Sequence, residues 1–420
     1  MIKLKSELKA NLKNNKEEAI LVGKEENSIN ELQGLTNTAG VISKKILYHS
    51  ADHINPAFYI SESKLNTLKE EISKNKENVV IFDNELSPAQ HRNIEEELEI
   101  KIIDRTQLIM DIFAQHAHTK ESKIQVELAQ LEYLLPRIKG QGTEMSRLAG
   151  GIGTRGPGES KLEVDRRRIE KRIHRLKEKL KKVSRVRKNQ RKNRKDPLIA
   201  LVGYTNAGKS TLMNYLTEAE TEVDDKLFAT LDSTLRKMKL PAGKNVILTD
   251  TIGFINRLPH QLLASFESTL EEIRNADILL HVIDLNQQDF ENKINVVNNV
   301  LSDMDLDDKT IIKVFNKCDL VNEAAISDIN LQYPESISIS AQTGNGVDKL
   351  INHLNILIKK SMQKIELNIP YNRAHIIEKL HEEGNVITEE YQEKNIYIKA
   401  LVSNKLADIL KPYRKKETAK

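Results

Sequence analysis

Apolar and polar positions alternate along the first 118 residues in a way that predicts strands and helices in turn. Short apolar runs, AILVG at 19–23, VVIF at 79–82 and IKII at 100–103, are separated by stretches of helical spacing at 62–74 and 87–98. Such brief runs between helices suit strands buried on both faces, so residues 1–118 read as α/β with a largely parallel sheet. Between 121 and 138, Ile124, Leu128, Leu131, Leu135 and Ile138 recur at steps of four and three, on one side of a helix. Leu162, Ile169, Ile173, Leu176, Leu180 and Val183 do the same. Two matching seams predict an antiparallel helical hairpin over 119–196 with its basic residues on the outer surface. Beyond Pro197, strands and helices alternate to about 361, the pattern of a doubly wound sheet. Residues 362–420 read as a small α+β domain, with IELNI at 365–369, a helix near 371–382, apolar alternation through 396–402 and a last helix near 404–411.

Composition sharpens this picture. A chain of 420 residues, 39% hydrophobic, is too long for one core and is no lone binding module. Its single cysteine, Cys318, excludes a disulfide framework and a Cys-based zinc site. No run approaches the 18 apolar residues of a membrane span, and the N-terminal stretch lacks the apolar core of a secretory signal, so a cytoplasmic protein is expected. His49, Asp52 and His53 lie close together, but three residues in a turn-like stretch are read as structural rather than as a metal site.

The net charge of +4 conceals one basic segment. Lys161 to Lys195 holds 18 Lys/Arg against four acids, a local excess of +14 on an otherwise acidic chain. Such a stripe attracts a polyphosphate through Coulomb steering and counterion release, which makes nucleic acid the leading partner. The loop between the two seams, 139–160, carries seven of the chain's 17 glycines, with Arg147 and Arg155 among them. Glycine lets backbone N–H groups approach a ligand closely, and arginine offers a planar fork for phosphates and bases. Arg147, Gly153 and Arg155 in the loop, with Lys161, Arg166, Arg167 and Arg168 at the start of the basic helix, are the RNA-contact candidates.

After the strand-like LIALVG comes Gly203-Tyr204-Thr205-Asn206-Ala207-Gly208-Lys209-Ser210, followed by a helix opening at Thr211. This is the GxxxxGK[ST] spacing between a strand and a helix. Loop N–H groups and the helix N-terminus can surround a phosphate, Lys209 can neutralise β/γ oxygens, and Ser210 can offer its hydroxyl to Mg²⁺. Asp250, ending the strand NVILT, can serve the same metal, and Gly253 can bring its N–H to a γ-phosphate. Asn316-Lys317-Cys318-Asp319 follows the strand IIKVF. A carboxylate there accepts the two donors of guanine N1 and N2, whereas adenine presents an acceptor at N1, so GTP is favoured over ATP. Ser340-Ala341-Gln342 is placed to complete the base pocket through backbone. Within Leu227-Phe228-Ala229-Thr230-Leu231-Asp232, Thr230 is the expected switch threonine, near metal and γ-phosphate, with Thr234 second. Phe254 stands where a water-orienting Gln is common in GTPases, so unaided hydrolysis should be slow. A metabolic kinase, the third reading, is disfavoured by the guanine signature.

These segments resemble the HflX family of translational GTPases. The resemblance covers nearly the whole chain: DNELSPAQHRNIEEEL at 83–98, DIFAQ at 111–115, QLEYLLPRI at 130–138, GGIGTRGPGESKLEVDRRRI at 150–169, LFATLD at 227–232 and DTIGF at 250–254. It departs at Ser61-Glu62-Ser63-Lys64, at His116 and at Ser233. The resemblance implies a factor that binds the large ribosomal subunit, splits stalled or idle ribosomes under stress, and hydrolyses GTP when ribosomes stimulate it; a monomer is expected. It also implies that the glycine-rich loop approaches the peptidyl-transferase region. A large-subunit assembly or antibiotic-protection factor that does not split ribosomes is the alternative.

Overall fold

The computed structural model describes residues 17–49, 54–74, 78–138, 161–192, 194, 196–217, 227–228, 231, 234–241, 243–257, 262, 266–360, 362–373 and 375–414. The N-terminal part alternates β1 (Glu18–Gly23), α1 (Glu26–Thr38), β2 (Ile42–Tyr48), α2 (Glu62–Lys74), β3 (Val79–Phe82), α3 (Pro88–Leu98), β4 (Lys101–Asp104) and α4 (Arg105–His116). Its strands are all parallel, in the order β2-β1-β3-β4, because each is followed by a helix that carries the chain back across the sheet. Successive side chains face opposite sides: Ile20, Val22, Val80 and Phe82 pack with Leu65, Leu68 and Ile94, while Leu21, Val79 and Ile81 pack with Ile29, Leu32, Ile109 and Phe113. Both faces are covered, as the unbroken apolar runs require. Ser87 and Gln90 form a capping box at α3, and Asp104 accepts the Gln107 N–H at 2.9 Å to open α4.

Helices α5 (Lys120–Ile138) and α6 (Lys161–Lys192) run antiparallel. Glu121 near the start of α5 meets Arg187 near the end of α6 at 2.7 Å, and Glu132 meets Lys177 at 2.7 Å. Leu176 is buried in the seam, flanked by half-buried Ile169, Ile173, Leu180 and Val183. Two features go beyond the seams read from the sequence. Besides Leu128 in its seam, α5 buries a second face, Gln125, Val126, Ala129 and Tyr133, of which the last three join the N-terminal core. Tyr133 donates its hydroxyl to buried Asp104 at 2.7 Å, so the hairpin is rooted in the N-terminal part. Several basic residues on the outside of α6 are paired there. Arg172 forks onto Glu127 at 2.7 and 2.8 Å, Arg166 pairs with Glu170 and Arg168 with Asp165, because a helix this charged lowers its self-repulsion through pairs three, four or one helix apart. Lys171, Arg175, Lys179, Lys181, Lys182 and Arg185 remain exposed. The glycine-rich loop, with Arg147, Gly153 and Arg155, lies outside the described residues.

The nucleotide-signature region comprises β5 (Leu198–Gly203), α7 (Lys209–Thr217), β6 (Thr234–Lys239), β7 (Asn245–Asp250), α8 (Glu267–Arg274), β8 (Ile278–Asp284), α9 (Phe290–Asp303), β9 (Thr310–Asn316), α10 (Glu323–Gln332), β10 (Ile337–Ser338) and α11 (Val347–Lys360). Its sheet has the order β10-β9-β8-β5-β7-β6, parallel except for the edge strand β6. The strand order reverses beside β5, which puts the Gly203–Ser210 loop at the crevice where open α/β sheets bind ligands. The last part, β11 (Met362–Pro370), α12 (His375–Glu383), β12 (Asn385–Tyr391), β13 (Asn395–Ser403) and α13 (Asn404–Ile409), forms an antiparallel sheet β11-β13-β12 with its helices on one face. No helix among the described residues is long and apolar enough to cross a membrane.

Candidate nucleotide site

Gly203 and Gly208 take positive φ of 153° and 87°, and Asn206 sits in the left-handed region at 59°. These turns curl the chain after β5 so that it enters α7 with its N–H groups facing inward. At Gly208 glycine is required twice over, since a Cβ would also stand 2.2 Å from Nδ2 of Asn316. Lys209 is buried, and its ammonium donates to the carbonyls of Gly203 at 3.1 Å and Tyr204 at 2.7 Å. Burial pulls its pKa down to about 8, against the opposing attraction of Asp250. Those carbonyls fix the one buried cation of this loop against its backbone. Ser210 donates its hydroxyl to Asp250 at 2.6 Å, which brings two hard oxygen donors together at the head of α7, the ligand type Mg²⁺ selects. Asp250 is held in turn by the Thr251 N–H at 2.9 Å.

The base-side residues converge through Asn316. Its amide donates to the carbonyl of Ala207 at 2.9 Å and accepts the N–H of Ala341 at 2.9 Å. One buried side chain thus ties the phosphate loop to the Ser340-Ala341-Gln342 turn. Lys317 adopts the left-handed conformation and pairs with Asp284 at 2.8 Å, which turns the chain so that Asp319 stands exposed. The Cys318 thiol is buried, and burial pushes its pKa up. Thr211 lies in the first turn of α7. Every member of the nucleotide set on 203–211, Asp250, Gly253, Asn316–Asp319 and Ser340–Gln342 therefore lies at one end of the sheet. Thr230 lies outside the described residues, while Thr234 begins β6 opposite Asp250.

Three matches bear on identity. Residues 26–114 match the family model described as GTP-binding GTPase N-terminal, 116–194 that of the GTP-binding GTPase middle region, and 198–317 that of 50S ribosome-binding GTPase. A GTPase HflX of Caldanaerobacter subterraneus is 47% identical over 410 residues, covering 96% of this chain and 95% of the relative. That of Escherichia coli strain K12 is 39% identical over 390 residues, covering 90% and 91%. The chain belongs to the HflX family of GTPases. It is accordingly a GTP hydrolase with a guanine-nucleotide site.

Sequence reasoning missed what surrounds that site. Phe254 is not a bare substitute for a water-orienting residue; its ring is buried in the core that joins the nucleotide region to the N-terminal sheet. Leu227 donates its N–H to Thr38 of α1 at 3.3 Å, and Phe228 is buried against Phe113 of α4. Arg257 pairs with Asp83 at 3.0 Å, and Arg105 with Asp83 at 2.7 Å. Only the apolar character of LFATLD and GFI hinted at these contacts. His49, read as structural, packs edge-on against Tyr59 with centroids 5.2 Å apart.

Proposed function

We propose that this HflX-family GTPase is a cytoplasmic, monomeric factor of the large ribosomal subunit that splits or rescues stalled and idle ribosomes under stress. One observation carries the reading: the segments flanking the phosphate site and the base of the basic hairpin share a single core. Leu227, Phe228, Phe254 and Ile255 pack on α1 and α4, and Val126, Ala129 and Tyr133 of the hairpin enter the same cluster. A change at the γ-phosphate can thus reach a cationic arm that offers Arg166, Arg167 and Arg168 to ribosomal RNA, with Lys161, Arg147, Gly153 and Arg155 as further RNA-contact candidates. The family model described as 50S ribosome-binding GTPase supports the same partner.

At the site itself, Lys209 neutralises β/γ oxygens, Gly253 offers its N–H to the γ-phosphate, Asn316, Lys317 and Asp319 with the Ser340–Gln342 turn hold guanine, and Thr230 closes over the phosphates. Ser210, Asp250 and Thr230 would hold Mg²⁺, which supplies charge neutralisation at the phosphates. With Phe254 buried, no residue at that position orients the attacking water, so hydrolysis is slow until the ribosome completes the site.

The test is GTP turnover with and without purified large subunits, for the wild type and a variant with residues 144–155 replaced by a short Gly/Ser linker. Stimulation of the wild type alone is the expected result; no response from either removes the ribosomal reading. A sucrose gradient with excess protein and GTP then separates splitting, seen as loss of whole ribosomes, from an assembly or antibiotic-protection role, seen as intact ribosomes carrying the protein.

A further inference from the structure

The peptide of Asn256 is gripped at both ends by groups that belong to other parts of the molecule. Its N–H donates to the Tyr204 hydroxyl at 2.8 Å, and its carbonyl accepts from Arg105 at 3.2 Å. Tyr204 belongs to the phosphate loop and Arg105 to α4 of the N-terminal part. Both converge on one carboxylate, Glu31 of α1: the Tyr204 hydroxyl donates to one oxygen and the Arg105 guanidinium to the other. Arg105 is 2% exposed and Asp83 1% exposed, so these charges are held by one another rather than by water. Burial and the Glu31 carboxylate push the Tyr204 phenol far up, which keeps it a donor at any physiological pH.

This grip lies beside a second pairing. The Thr205 N–H donates to the Phe254 carbonyl at 2.9 Å, and the Phe254 N–H donates to the Gly203 carbonyl at 3.1 Å. Between β7 and that bridge, Gly253 is pressed onto the phosphate loop: a Cβ on it would stand 2.9 Å from Cα of Thr205 and 3.2 Å from Nζ of Lys209. A γ-phosphoryl group that Lys209 neutralises and Gly253 hydrogen-bonds has to lie between those two residues. A single carbon added to Gly253 would already crowd that ammonium, which the carbonyls of Gly203 and Tyr204 hold in place, so Gly253 has to withdraw to admit it. A diphosphate makes no such demand. Arg257, next in the chain after Asn256, adds resistance, since it sits at a φ of 56° with its guanidinium on Asp83.

We propose that Glu31 of the N-terminal part is a positioning residue of the GTPase site: by organising Tyr204 and Arg105 around the Asn256 peptide it holds residues 253–257 against the phosphate loop, an arrangement that favours GDP and that the γ-phosphate of GTP has to open. The N-terminal part thereby sets nucleotide preference without touching the nucleotide. Since a ligand shifts an equilibrium only through differential affinity, weakening the grip should raise affinity for GTP relative to GDP. This inference needs only the GTPase chemistry, and its test contains no ribosome.

The experiment measures affinities of the full-length chain for fluorescent GDP and for a non-hydrolysable GTP analogue. Tyr204→Phe removes one hydroxyl and leaves every charge in place. Glu31→Gln keeps an acceptor for the phenol but removes the negative charge that fixes Arg105. Each should shift the affinity ratio toward the GTP analogue by roughly three- to tenfold, the range that losing one ordinary intramolecular hydrogen bond gives. The double variant should shift it less than the product of the two, because both act through Asn256. An unchanged ratio in Tyr204→Phe overturns the proposal, including the case where both nucleotides lose affinity equally. Should Glu31→Gln fail to fold, Tyr204→Phe alone decides.

Discussion

Phe113 of α4 and Phe228 of the segment before β6 meet edge to face, with ring centroids 4.7 Å apart and planes at 89°. Phe113 also meets Phe266 at 5.1 Å, so one ring of the N-terminal part packs against segments on both sides of the phosphate site. Replacing it by Ala leaves a cavity among fully buried neighbours and should cost about 3–5 kcal/mol of stability. Phe113→Leu, which keeps most of the volume, should cost under about 2 kcal/mol. Urea denaturation followed by tyrosine fluorescence measures both. A loss below about 1 kcal/mol for the Ala variant would show that the two parts do not share this core.

Asn316 makes a different kind of connection. Its side chain is 2% exposed and bonds the phosphate loop and the Ala341 turn at once. Asn316→Ala leaves the Ala207 carbonyl and the Ala341 N–H without their partner, at about 1–3 kcal/mol each if no water enters. Nucleotide affinity should fall at least tenfold, and equally for GDP and GTP, because neither bond lies near the γ-phosphate. Titration with both fluorescent nucleotides checks this; a preference for one of them in the variant would contradict the assignment.

These two residues mark how far the sequence alone reaches. The phosphate loop, Asp250 and the guanine signature are legible because each is contiguous and follows an apolar strand, so spacing alone puts them at one sheet end. The parallel N-terminal sheet is legible from its unbroken apolar runs for the same reason. The contact of Phe113 with Phe228 spans 115 residues and leaves no periodic trace in either segment. Arg105, Asp83 and Glu31 carry no sign of burial in the sequence, since charged side chains are seldom buried unless paired, and the pairing is invisible until the fold brings α1, β3 and α4 together. The half of α5 that enters the N-terminal core was hidden by a clearer seam on its other side.

His281 lies in the middle of β8, 1% exposed, with Nδ1 lacking a hydrogen-bond partner among the described residues. Burial, reinforced by Lys313 and Lys209, pulls its pKa down from 6.5 to about 3. The folded state therefore holds it neutral, while the unfolded chain takes up a proton below about 6.5. Between those values the unfolded state binds more protons, so stability rises with pH through the window and is lost as pH falls from about 6.5 toward 3. His281→Leu should flatten that slope. Urea midpoints at pH 7, 6, 5 and 4 test it, and parallel declines in wild type and variant would refute it.

Lys209 titrates in the opposite part of the scale, and it links pH to nucleotide binding. Burial lowers its pKa from 10.5 to about 8 in the free protein, so between those values the unfolded chain holds a proton the folded one lacks, and the stability of the free protein rises with pH across that window. Phosphate oxygens favour the charged ammonium, so a nucleotide that binds above pH 8 must bring a proton with it. Affinity should then decline above about pH 8, approaching tenfold per pH unit, and nearly flat behaviour is expected below. Lys209→Arg binds more weakly because the guanidinium is larger than the ammonium's place between the two carbonyls, but it stays charged throughout and should show no such decline. Fluorescent GDP titrations from pH 7 to 9 on both proteins distinguish this from titration of the nucleotide itself, which would affect the two alike. A wild-type affinity that stays level to pH 9 would mean that Lys209 holds its proton without the nucleotide.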